Sequence, residues 1–242
     1  MKALSAIVFL GLASLVHAQN GSGPKPNATS LKYHEYRYEV TEPSFGLSKV
    51  KRLIKGIKTD QEDNQRLSDK LYNSLSNAEK FTYAMLHGED ASQNCSDMPG
   101  IVDEQKKIFA YSPNIFDDNA MWSERQRKFL HNHRGSVIGW LRSTMRSKGR
   151  VGLNLKSTII ELNATELIPD MVRVYQRDRK DQDILTAFMH LMKENKYRPF
   201  VSSSIYKRLY GPDTNYEGYL PATSALQNQI IAWANGLNKS RR

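Results

Sequence analysis

The 242-residue chain has one cysteine, Cys95, so no intramolecular disulfide can form and stability has to come from a packed core. It has no G-x-S-x-G elbow, no H-E-x-x-H pair, no phosphate-cradling glycine loop and no repeated C-x-x-C. Those gaps exclude the catalytic signatures that spacing alone can reveal. After the first residues no stretch is apolar enough to span a bilayer. Acidic residues are in the minority, 25 against 35 Lys and Arg, which gives a formal charge of +10. That excess favours anionic surfaces such as cell-wall polymers, lipid headgroups or nucleic acid. The charge is spread along the chain, the pattern of a solvated Lys/Arg-rich surface.

The beginning of the chain reads as an export signal: Met1-Lys2, an apolar run from Ala3 to Val16, then small residues before Gln19. The run is too short for a membrane helix, and cleavage after Ala18 is expected, leaving a secreted or periplasmic protein. With no cysteine at that junction, a lipid-anchored lipoprotein is disfavoured. The sequence therefore divides into a signal peptide (1–18), a linker and extended arm (19–42) and a helical domain (43–242). Asn20 to Ser30 is rich in Gly, Pro, Ser and Asn and reads as linker. "YHEYRYEV", Tyr33 to Val40, alternates His34, Tyr36, Tyr38 and Val40 with charged residues, the period of an extended strand.

From Pro43 the period becomes helical, with Leu47, Val50, Leu53, Ile54 and Ile57, then Leu67, Leu71 and Leu75. "SNAE" (Ser76–Glu79) and "SERQ" (Ser123–Gln126) are capping boxes that open helices. A short helix is expected over Glu104 to Ala110, another from Pro199 to Gly211, and a terminal one carrying Leu226, Ile230, Trp233 and Leu237. "TELIPDMVRVYQRDRKDQDILTAFMHLM" reads as two helices joined by a charged turn, either a HEAT-type repeat unit or an ordinary hairpin. The expected fold is all-α or nearly so, built of stacked helical hairpins that are HEAT-like in the C-terminal half, with a short extended N-terminal arm.

"RKFLHNHRGSVIGWLRSTM" contains the letters H-N-H beside arginines, which raises the question of a nuclease metal site. At about 100° per residue, Phe129, Leu130, His133, Val137, Trp140, Leu141 and Thr144 share one arc, so the segment reads as one amphipathic helix. His131 and His133 lie about 200° apart on it, too far round to share a metal ion. No metal or cofactor site is expected. Arg134, Arg142 and Arg146 fall on the opposite arc and form the candidate anion-binding face. No aromatic residue interleaves them to stack bases, which argues against nucleic acid.

Cys95, in "SQNCSDMP", is the one candidate catalytic nucleophile, with His87, His131 or His190 as a possible base. Nothing local matches the signatures that activate a thiolate. The carboxylate pairs Glu62-Asp63 and Asp117-Asp118 sit in polar turns, where capping explains them. Sequons occur at Asn20, Asn27, Asn94, Asn163 and Asn238; Asn163 is read inside a helix, which favours a bacterial origin.

"EKFTYAMLH", "SQNCSDMP", "WSERQRKFL", "DILTAFMHLMKENKYRPF" and "YKRLYG" resemble an uncharacterised family of exported bacterial proteins, over most of the chain from about Pro43. The resemblance implies export and a helical body, and transfers no catalytic residue or cofactor. The functional expectation is a non-enzymatic binding or scaffold protein of the cell envelope or extracellular space, working through a groove between helix pairs on an envelope protein or glycan. The alternatives are a hydrolase of envelope polymers, or a binder of anionic polymers through the basic helix face.

Overall fold

Helix starts in this chain follow side-chain chemistry. Ser76 and Ser123 accept from the Glu79 and Gln126 amides while those residues' side chains reach back, so both capping boxes form. Ser68, Ser203 and Thr223 cap three further helices. The computed structural model describes residues 24–60, 64–91, 99–114, 120–212, 214–215 and 218–241. Residues 1–18, read above as a signal peptide, Cys95 and the pairs Glu62-Asp63 and Asp117-Asp118 lie outside them.

The fold is mostly helical. The described helices are α1 (Ala28–Tyr38), α2 (Leu47–Lys55), α3 (Asp69–Asn73), α4 (Asn77–Leu86), α5 (Glu124–Asn132), α6 (Arg134–Lys148), α7 (Leu153–Glu161), α8 (Ile168–Tyr175), α9 (Gln182–Glu194), α10 (Arg198–Val201), α11 (Ser204–Tyr210) and α12 (Ser224–Ser240). Two short antiparallel ribbons accompany them. β1 (Asp90–Ala91) pairs with β3 (Ala120–Met121), and β2 (Lys107–Phe109) with β4 (Tyr219–Pro221), Ile108 opposite Leu220. None of the helices among the described residues is long and apolar enough to cross a membrane.

The main core runs from Phe81 on α4 to Leu237 on α12, and a smaller cluster of Val50, Leu67, Tyr72, Leu75 and Tyr83 lies under α2 and α3. Helix α9 is at the centre, packed by α7, α8, α10, α12 and β2, and its residues from Gln182 to Met189 are all buried. A solenoid helix touches only its neighbours along the array. The α8–α9 pair is therefore an ordinary hairpin packed into a bundle, with Pro169 in the first turn of α8, where its missing N–H is no loss.

Several sequence expectations are corrected. Tyr33 to Tyr38 is helical, not extended: Asn27 Oδ1 accepts from the Ser30 amide at 2.9 Å, and Ser30, Tyr33 and Arg37 are buried at helical spacing. The alternation misled because the buried side carries an arginine, which a hydropathy pattern assigns to solvent. The stretch after the helix is also fixed, since Thr41 exchanges hydrogen bonds with Gly152 and Asn154. At Gly152 the packing is so close that a Cβ would lie 2.3 Å from the Thr41 nitrogen. Glu104 to Ala110 is a 3-10 turn (Glu104–Lys106) followed by β2, because its strand partner lies more than a hundred residues downstream. The expected helix from Pro199 to Gly211 splits into α10 and α11 at Ser203. Leu71 is 42% exposed and outside the core. Asn163 sits in the turn after α7 with φ 45°, its amide paired reciprocally with Asn195, so the glycosylation argument built on a helical Asn163 falls.

Candidate functional site

The histidines and arginines read as lying on one helix occupy two helices. The chain breaks at His133, which ends α5 and begins α6 with φ −108° and ψ 23°. The inward arc is nonetheless as expected: Phe129, Leu130, Val137, Leu141 and Thr144 are buried, with His133 against the Phe129 ring at 5.0 Å. His131 is exposed and lies 3.1 Å from Glu161. Among the described residues no three His, Cys, Asp or Glu side chains converge as metal ligands.

Arg134, Arg142 and Arg146 each face a carboxylate of the neighbouring segment. Arg134 grips Glu166 with two bonds, 2.6 and 3.0 Å. Asp170 accepts from Arg142 (2.9 Å), Arg146 (3.3 Å) and Arg173 (2.9 Å). Burial alone would raise the Asp170 and Glu166 carboxyls, but the arginine bonds outweigh it and hold both below their ordinary range. These arginines therefore clamp α6 to α8. The histidines proposed as partners for Cys95 are also committed elsewhere: His87 Nε2 lies 2.6 Å from the Gln65 carbonyl and His190 Nε2 3.0 Å from that of Ala110.

A cavity of about 730 Å³ lies elsewhere, between α1, the 3-10 turn with β2 and the segment after it, and the α11–β4 connection. Its size matches sites for drug-sized ligands. Arg37 organises one wall. Its Nη1 donates to Glu104 at 2.7 Å, its Nε and Nη2 to Asp183 at 2.9 and 3.1 Å, and its guanidinium lies 3.9 Å over the Phe109 ring. Burial disfavours its charge, yet the Asp183 and Glu104 carboxylates overcome that and raise its pKa. His34 Nδ1 sits 3.0 Å from Glu104, and both line the cavity with Arg37. Behind Asp183, buried Lys156 holds Asp181 with two 2.9 Å bonds. Burial raises the Asp181 carboxyl against that lysine's pull. Thus α1, polar for a packed helix, is attached by a chain of buried charges.

The rest of the wall is mainly apolar or cationic, with Ser112 and Asn215 as its neutral polar residues. Pro24, Pro99 and Pro113 supply rigid surfaces, and Tyr111 and Tyr219 are half-exposed rings. Lys107 Nζ donates to the Val102 carbonyl at 2.6 Å and lies 4.6 Å over Tyr219. Arg208 on α11 lines the cavity as well. Helix α9 steadies β2 through Thr186 Oγ1, which donates to the Phe109 carbonyl at 2.8 Å, and through His190.

None of the sequence-derived site candidates lines this cavity; His34 and Tyr38, which do, were read as one side of a strand. Arg37, Glu104, Lys107, Arg208 and the two tyrosines carry no local motif, because the cavity is assembled from three distant segments. The one available signal was the density of rings and charges in "YHEYRYE". No protein-family model, curated protein or solved structure matches this chain.

Proposed function

We propose that this is an exported binding protein, of the uncharacterised bacterial type its motifs resemble, whose working site is the cavity between α1, β2 and the α11–β4 connection. The observation that carries the reading is a concave, largely apolar site whose wall is held rigid by prolines and by buried ion pairs on Arg37. The basic face of α6 supports polymer binding less well, because Glu166 and Asp170 already occupy Arg134, Arg142 and Arg146. The neutral fluorophore N-phenylnaphthylamine tests the site. Its emission should rise on mixing with the purified protein, and Val102→Trp, which places bulk on the lining, should suppress the rise. An unchanged signal in both proteins would refute the reading.

A second reading, hydrolysis, is favoured by one feature. Glu104 engages His34 Nδ1 and leaves Nε2 as the remaining ring nitrogen at the cavity, the arrangement of an oriented general base. Release of p-nitrophenol from its acetate ester should then be faster than with His34→Gln, and equal rates would remove this reading.

A further inference from the structure

We infer that the cavity takes a planar apolar acid, a ring body bearing one carboxylate, sulfonate or phosphate group. The inference rests on the cavity being the binding site, and it follows from charge left over on the wall. Glu104 is engaged by Arg37 and His34, and the far edge of Arg37 is engaged by Asp183. That leaves Lys107 and Arg208, which line the same space and have no carboxylate partner among the described residues. Cations beside apolar walls are poorly screened, so an anion placed there is attracted more strongly than in open water.

A second observation points the same way. The ring half of the ligand follows from Tyr111 and Tyr219, which are 38% and 44% exposed at the cavity although large rings normally pack away. Each already has a lysine against it, Lys193 at 5.6 Å and Lys107 at 4.6 Å. A flat apolar body can stack on these tyrosines while its acid group meets Lys107 and Arg208.

Two nearly isosteric fluorophores separate the terms: anilinonaphthalene sulfonate, and N-phenylnaphthylamine, which lacks the sulfonate. The wild-type protein should bind the sulfonate about tenfold more tightly, and that preference should shrink as salt rises. In Lys107→Gln/Arg208→Gln, which keeps hydrogen-bonding groups but removes both charges, the preference should vanish while affinity for the neutral probe stays within about twofold. Equal affinities in the wild type, or a preference that survives the double substitution, would overturn the inference while leaving the cavity reading intact. Failure of the neutral probe to bind the wild type would sink the cavity reading itself.

Discussion

Replacing Arg37 by methionine removes the cation that joins α1 to the body while keeping comparable bulk. The change would leave Glu104 and Asp183, 1% and 0% exposed, with their shared guanidinium gone. Breaking a buried ion pair from one side costs about 3–5 kcal/mol, because the orphaned charges stay desolvated. The lost stacking on Phe109 adds about 1 kcal/mol, partly offset by methionine packing on the same ring. For a chain of this size each kcal/mol moves the melting midpoint by about 2–4 °C, so a fall of about 6–20 °C is expected. Urea titrations followed by helical circular dichroism measure the free energy, and hydrogen exchange across Ala28–Tyr38 shows whether α1 loosens first. Adding Glu104→Gln and Asp183→Asn to the same chain should recover more than half of the loss, since the orphaned charges go with them. A single-variant loss below about 1 kcal/mol, or a triple variant worse than the single one, would refute the claim that buried charge holds this helix.

Stability should fall as the solution is acidified, in two stages. Burial holds His87 and His190 below their ordinary pKa, so the unfolded chain binds more protons, and stability is lost as pH drops from about 6.5 through the folded values. Glu89, Glu166 and Asp170, whose arginine and hydroxyl bonds outweigh their burial, add a second loss below about pH 4.5, while Asp181, raised by burial, works in the opposite sense. A urea midpoint that stays flat between neutral pH and about pH 4 would contradict this. Asp170→Ala should cost about 1–2 kcal/mol, because the arginines it binds are partly solvated, and should lengthen retention on a heparin column by freeing them. Gly139→Ala, on an exposed face of α6 with open space around it, should stabilise by about 0.5–1 kcal/mol, whereas Gly152→Ala should destabilise by about 1–3 kcal/mol; thermal melts of the pair check both. Expression with the native leader should yield a mature chain beginning at Gln19, read by N-terminal sequencing, and an intact Met1 on exported protein would refute the cleavage reading.

What could be read from the sequence was whatever depends on neighbours a few residues apart. Capping at Ser76 and Ser123, the inward arc of Phe129 to Thr144 and the terminal helix from Ser224 are all local and all present. The two failures that hid the cavity share a cause in distant partners. Lys107 to Phe109 becomes a strand because Tyr219 to Pro221 lies alongside, and Tyr33 to Tyr38 becomes a helix because Asp183 and Glu104 wait to receive Arg37. Periodicity treats charge as solvent-facing, so a segment that buries ions is read in the wrong period. The three basic residues of the expected anion-binding face share α6, but their acidic counterparts on the next segment could not be inferred from composition. The cavity was invisible for the same reason, since its wall is drawn from segments that no motif joins.

Because the cavity wall is contributed partly by α1 and partly by the α11–β4 connection, a chain that stops short of Tyr219 cannot enclose it. Occupancy would thus report that these distant segments have come together. A bound fluorophore should lose its signal before the bulk helical content decays, making it an early indicator of loosening at the seam between α1 and the α11–β4 connection.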